Sequence, residues 1–184
     1  MEGNNREKDF SNSPLGIRGK LFLIGMMGSG KSYWAQKIAA ATNCKWIDLD
    51  TEIEVAVGKS ISDIFETEGE HAFRIKEQQA LHQTENDNNM IVATGGGAPC
   101  FFNNIDWMNE HGITIFINEP IDILVNRLQK EKAHRPLISS SSDEALHQSL
   151  TERLASRIGF YSKAQHTIIG SQATVTDFIK LINH

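Results

Sequence analysis

The stretch GMMGSGKSYW, residues 25–34, decides how this chain is read. Gly25, Gly30, Lys31 and Ser32 complete the pattern G-x-x-x-x-G-K-[ST], the phosphate-cradling P-loop. In such a loop the backbone N–H groups point inward. They form a nest for phosphate oxygens at the positive end of the following helix. Gly25 and Gly30 let the backbone turn and approach where a Cβ would obstruct. Lys31 can reach β- and γ-phosphates, and the Ser32 hydroxyl can ligate Mg²⁺. The flanks agree: KLFLIG before the loop suits a buried strand, and KSYWAQKIAAA after it suits a helix. A glycine turn that matches by chance would lack both.

Composition sets the outer bounds. With 184 residues and 40% hydrophobic content, the chain can build one well-cored domain, and two would be cramped. A net charge of −5 argues against a general nucleic-acid binder, which shows a basic footprint. Cys44 and Cys100 form neither a metal-ligand spacing nor a disulfide framework, and they read as buried thiols in a reducing compartment. No apolar run approaches the roughly 18 residues of a membrane span. The opening MEGNNREKDFSNSPLG has acidic residues and no apolar core, so it is no signal peptide. Residues 1–17 are expected to be a disordered leader and 18–184 a single domain in a cytoplasmic protein, with no nucleic-acid or membrane partner. A monomer is expected.

Beyond the leader, strand-like runs (LFLIG, KWIDL, MIVAT, ITIFI, HTIIG) alternate with amphipathic stretches such as IDILVNRLQKEK and EALHQSLTERLA. That alternation implies βαβ units, hence a parallel sheet with helices on both faces. Ligands in such sheets bind outside the carboxyl ends of the strands, so motifs there matter most. The serine run Ser139–Ser142 after AHRPLI reads as a mobile loop.

The second strand ends in WIDLD. Strand periodicity places Asp48 and Asp50 on one side, where two carboxylates repel unless a cation or donor lies between them. A Mg²⁺ held by Ser32 would supply that cation for Asp48, and Asp50 could accept a hydrogen bond from a substrate hydroxyl. The plainer alternatives are exposed loop carboxylates, or Asp50 capping the helix TEIEVAV. The third strand ends in IVATGGGAP. Three glycines there expose backbone N–H groups to a closely approaching ligand, whereas a tight turn into a helix beginning near Pro99 would need fewer. No Asp ends this strand to hold a metal, as many P-loop ATPases have, so that duty falls to Asp48.

In SISDIFETEGEHAFRIKEQQAL, Ser60 or Ser62 can cap a short helix that Glu68-Gly69 terminates, and a longer one begins near Glu70. Arg74 could grip a carboxylate with its planar fork. From spacing alone, a salt bridge to Glu70 is the plainer use of it. Phe65 and Phe73 read as core. Arg135, near Lys130 and Lys132 in KEKAHRPLISSSS, could arrive over bound phosphates as part of a lid, or simply be solvated. Arg157 lies in SRIGFY, where Gly159 interrupts a helical pattern.

Taken together, the P-loop, DLD, IFETEGEHAFR, GGG, RPL and RxGxY, in that order from about Lys20 to the C-terminus, resemble the shikimate kinase family. The resemblance implies a three-layer α/β/α P-loop kinase fold of the nucleoside-monophosphate-kinase type. Its five-stranded parallel sheet has the order 2-3-1-4-5, with a mobile lid at about residues 130–143. It implies transfer of the γ-phosphate of ATP to the 3-hydroxyl of shikimate, in aromatic amino acid biosynthesis, with Mg²⁺ as cofactor. Carried over by position, Gly28, Ser29, Gly30, Lys31, Ser32 and Tyr33 hold the ATP phosphates. Ser32 and Asp48 serve Mg²⁺, with Glu77 adding a water-mediated contact. Asp50 receives shikimate hydroxyls and acts as base, so Lys31, Asp50 and Arg135 are the catalytic set. Arg74 and Arg157 clamp the shikimate carboxylate, the backbone of Gly95, Gly96 and Gly97 meets the ring hydroxyls, and Phe65 and Phe73 line the ring pocket. Arg127 stacks on adenine, and Arg135 reaches the phosphates.

The chain departs from that family pattern at Tyr33, where a small Thr is usual, and at Gly159, where Pro is usual. Neither change removes a charged group. Two rivals are a kinase for another small acceptor, such as gluconate or a nucleoside monophosphate, and a nucleotide-binding module that has lost catalysis. The paired carboxylates and arginines favour a polyhydroxylated acid, and the presence of Lys31, Asp50 and Arg135 speaks against lost catalysis.

Overall fold

The computed structural model describes residues 20–130 and 143–182. The expected leader, Arg135 and the serine run 139–142 lie outside the described residues. Lys130 and Asp143, at the ends of the expected lid, are the last residue of one helix and the first of the next.

Every strand candidate forms a strand: β1 (Lys20–Ile24), β2 (Lys45–Asp48), β3 (Met90–Ala93), β4 (Gly112–Ile117) and β5 (His166–Ile168). They pair in parallel in the order β2-β3-β1-β4-β5. Alternation along the central strand builds the two cores. Leu21 and Leu23 of β1 point to the layer containing Trp34 and Ile38 of α1 (Lys31–Thr42) and Phe178 and Ile182 of α7 (Val175–Ile182). Phe22 and Ile24 point the other way. There they meet Leu81 of α3 (Ile61–Gln83), Met108 of α4 (Asn104–His111), Leu124 of α5 (Ile121–Lys130) and Leu150 of α6 (Asp143–Tyr161). β1 is buried along its whole length, as a strand sandwiched between helical layers must be.

Two boundaries differ from the sequence reading. β2 stops at Asp48, and Leu49 already belongs to α2 (Leu49–Val57). Asp48, in extended conformation, accepts a hydrogen bond from the Asp50 N–H, so the helix cap is Asp48 and not Asp50. Asp50 and Glu52 then occupy the first turn, where the helix dipole favours acids. Gly159 does not interrupt its helix, for α6 runs through it to Tyr161.

The long α3 opens with a capping box. The Ser60 side chain accepts from the Asp63 N–H, and the Asp63 side chain from the Ser60 N–H. Its path breaks at Gly69 (φ 82°, ψ 169°), a conformation that glycine alone adopts freely. The expected short-helix, long-helix pair is thus one element with a hinge, and Glu70 opens its second half.

Candidate functional site

The P-loop joins β1 to α1. Gly25 has φ 144°, and a methyl there would lie 2.7 Å from the Ile117 carbonyl oxygen, so the turn out of β1 requires glycine. Gly30, with φ 91°, is the N-cap of α1 without any side-chain cap, which leaves the first-turn N–H groups of the helix for an anion. Buried Lys31 folds back over the loop and donates to the carbonyls of Gly25 (3.0 Å) and Met26 (2.9 Å). The Ser29 hydroxyl is buried without a hydrogen-bond partner among the described residues.

A cleft of about 840 Å³ opens over this loop. Gly28, Gly30, Lys31, Ser32 and Tyr33 line it from the loop and the start of α1, with Asp48 and Asp50 from the β2–α2 junction. Thr94 and Gly96 contribute from the end of β3, and Arg127 from α5. The Ser32 hydroxyl donates to Asp48 Oδ2, so a hydroxyl and a carboxylate oxygen stand together at the exposed mouth. Hard oxygen donors with room for water suit Mg²⁺, which keeps much of its hydration shell. These two residues could hold it.

Asp50 lies deeper. Burial, then repulsion from Asp48, push its carboxyl above the ordinary value, while Lys31 and Arg74 pull the other way. Glu77 is fully buried on α3, and burial raises its carboxyl to about 7 against the pull of the Arg74 guanidinium. Its Oε1 has no hydrogen-bond partner among the described residues.

The glycine triplet after β3 is the junction of the site, and each member abuts a different charged group. A methyl at Gly95 would collide with Glu77 Oε1 and lie 3.0 Å from Asp50 Oδ1. At Gly96 it would lie 3.3 Å from Arg157 Nη1 and 3.5 Å from the Met27 nitrogen of the P-loop. At Gly97 it would lie 2.5 Å from Arg74 Nη2. Buried Tyr161 fixes this turn by donating to the Gly96 carbonyl at 2.5 Å. Gly97 is the N-cap of a short 3-10 helix (Ala98–Cys100) with Pro99 at its start, so the triplet is also the turn into a helix, as the plainer reading has it.

Arg74 makes the ion pair that its spacing offered, and a second one beside it. It donates to Glu70 (3.0 Å) and to Glu77 (2.8 Å). Its guanidinium also lies 5.0 Å from the Phe73 ring centre, 6.0 Å from Phe65 and 4.6 Å from Phe101. Burial works against its charge, but the two carboxylates outweigh that and hold its pKa above the ordinary value. Phe65 and Phe73 pack ring to ring at 4.7 Å. Phe65, Phe73, Arg74 and Arg157 do not line the cleft itself; Arg74 meets the triplet at Gly97 and Arg157 meets it at Gly96, which does line the cleft.

Sequence reading assigned no role to three contributors. Glu119, buried just past β4, accepts from Arg127 Nη2 at 2.9 Å, while Arg127 Nη1 donates to the Gly28 carbonyl at 3.0 Å. Arg127 is thereby strapped across the loop. Phe101 completes the aromatic surround of Arg74, and Tyr161 anchors the triplet. Glu119 follows the carboxyl end of a strand, which is the one signal that could have flagged it. Among the described residues no helix is long and apolar enough to cross a membrane.

Comparison with known proteins sets this geometry in context. The sequence model described as shikimate kinase matches residues 27–183. The shikimate kinase of Phocaeicola vulgatus is 40% identical over 147 residues, 80% of this chain and 84% of that protein. The crystal structure of the Bacteroides thetaiotaomicron shikimate kinase matches with TM-score 0.83 at 33% identity, covering 89% of this chain and 96% of that one. A shikimate kinase from Acinetobacter baumannii, in complex with shikimate, matches with TM-score 0.78 at 30% identity, covering 89% and 90%.

Proposed function

The chain belongs to the shikimate kinase family, and we propose that the residues gathered here carry out that family's reaction: the γ-phosphate of ATP passes to the 3-hydroxyl of shikimate, giving ADP and shikimate 3-phosphate. It is an ATP-dependent small-molecule kinase of aromatic amino acid biosynthesis. Phosphoryl transfer runs through a loose transition state, so positioning and charge neutralisation outweigh bond-making by the protein. The P-loop N–H groups and Lys31 hold the phosphates, which requires Lys31 to leave the loop carbonyls that it now contacts. Ser32 and Asp48 hold Mg²⁺, which when bound neutralises charge on the β- and γ-phosphates. Arg127, strapped by Glu119, forms one wall of the nucleotide half of the cleft.

Asp50 orients the attacking hydroxyl and takes its proton as transfer proceeds. Its raised pKa keeps it a better base than an ordinary exposed carboxylate. Arg74 and Arg157 take the acceptor's carboxylate, and the triplet backbone approaches the ring hydroxyls. The observation that carries this reading is the triplet itself. Across three consecutive residues it lies against Glu77 and Asp50, the P-loop and Arg157, and Arg74, which supports a site between phosphate donor and acid acceptor.

A coupled ADP-release assay tests it, with shikimate, gluconate and nucleoside monophosphates as acceptors. Turnover should require shikimate, ATP and Mg²⁺ together. Equal turnover with gluconate, or no turnover with any acceptor, would overturn the assignment.

A further inference from the structure

Two carboxylates already engage Arg74. Nη1 donates to Glu77 Oε2 at 2.8 Å, while Nη2 and Nε donate to Glu70 Oε1 at 3.0 and 3.3 Å. The rings of Phe73 and Phe101 pack against the guanidinium, and the Gly97 backbone lies against it as well. Only 7% of the side chain meets solvent. Its two carboxylate partners are not alike. Glu77 is 1% exposed and cannot withdraw without stranding a buried charge. Glu70 is 57% exposed, and it follows the break at Gly69, so water can receive its carboxylate if it lets go. Of the two, Glu70 is therefore the partner that an incoming carboxylate can displace.

We propose that Glu70 is a self-ligand: it holds the carboxylate seat on Arg74 in the free protein, yields to the acceptor's carboxylate, and so sets how sharply the chain distinguishes acid from neutral acceptors. This rests on the reading of Arg74 as the carboxylate clamp. An acid acceptor gains only the difference between its own contacts and those of Glu70. A neutral acceptor leaves Glu70 in place and strands no guanidinium, so its penalty is softened. Glu70 lowers affinity for the acid and narrows the discrimination.

The test is calorimetric titration of the full chain without nucleotide, using shikimate and an analogue whose carboxylate is replaced by hydroxymethyl. E70Q keeps the shape and removes the charge, and E70A guards against new contacts from the amide. Both should bind shikimate about two- to tenfold more tightly than the parent chain, since an ion pair with one exposed partner is weak. The neutral analogue should bind no more tightly. In an R74Q background E70Q should give no gain, whereas a mere long-range charge effect would persist there. Shikimate affinity that stays the same or falls in both variants, or a gain that survives in the R74Q background, overturns the proposal. R74Q separates the two levels. If R74Q leaves shikimate affinity unchanged, the clamp reading itself fails. If R74Q weakens it but neither Glu70 variant strengthens it, only the self-ligand fails.

Discussion

Replacing Gly97 with alanine tests the acceptor half of the site with a single methyl group. The backbone at Gly97 (φ −93°, ψ −17°) is helical, so alanine adopts it without strain. The added carbon would lie 2.5 Å from Arg74 Nη2 and 2.6 Å from Cζ and Nη1. Ordinary contact between such atoms is about 3.5 Å, so the guanidinium must move by about an ångström. It has little room to do so. Phe101 and Phe73 stand 4.6 and 5.0 Å from it, and Glu77 holds Nη1 at 2.8 Å. A misaimed fork loses charge-assisted hydrogen bonds worth about 1.5–3 kcal/mol, which converts to a 10- to 100-fold loss of shikimate affinity, to order of magnitude. Calorimetry with shikimate, and separately with Mg²⁺-ATP, reads the effect, and a thermal melt confirms folding. ATP affinity should change little. A folded Gly97→Ala protein with normal shikimate affinity would refute the argument that Arg74 must stay in place. An equal loss for a neutral analogue would refute its role with the carboxylate.

Asp48→Asn keeps an equally good helix cap for α2 and removes only the charge. The Mg²⁺ concentration for half-maximal turnover should rise on the order of tenfold at nearly unchanged melting temperature, and an unaltered Mg²⁺ titration would count against Asp48 as ligand. Burial lifts the Glu77 carboxyl from 4.5 to about 7 in the folded chain, so between those values the folded state binds more protons than the unfolded one. Stability should therefore fall as pH rises through that window, by at most about 1.4 kcal/mol per unit, and level off above it. Glu77→Gln should flatten that slope in urea titrations, and parallel profiles for the two proteins would contradict it. Gly159 sits inside α6 with open space where a Cβ would stand, so Gly159→Ala should stabilise by about 0.5–1 kcal/mol and raise the melting temperature by about 1–4 °C. A lowered melting temperature would show that the residue has a packing role absent from this structure.

What the sequence reveals of this site divides by range. The P-loop is legible because its strand, turn and helix lie within about 20 consecutive residues, each with its own local signal. The strands are legible for the same reason. The second acidic motif is read correctly as a pair yet with the wrong geometry. Period-two alternation continues the strand through Asp50, while Asp48 followed by acids in the first helical turn marks a helix start. The two signals compete within three residues, and capping prevails because it satisfies helix N–H groups that the strand's end leaves open. Glu119 and Tyr161 are illegible for another reason. Tyr161 meets Gly96 across 65 residues, and Glu119 acts through Arg127 on Gly28, 99 residues from that arginine. No local pattern encodes such pairs.

Arg74 shows how the two ranges meet on one side chain. Helical spacing offers Glu70 as its partner, and a fold-level resemblance offers a substrate carboxylate, which look like alternatives. On the proposal made above they are successive claims on the same side chain. The helix supplies Glu70 locally, while the sheet brings the Gly97 backbone against the guanidinium from more than 20 residues away. A clamp built this way is never left as a bare buried charge, which would cost several kcal/mol. It follows that the pairing seen in the free protein is no argument against a binding role. The exposure of each partner would separate the roles on that proposal: Glu77 is buried with Arg74, and Glu70 is exposed to water that can receive it.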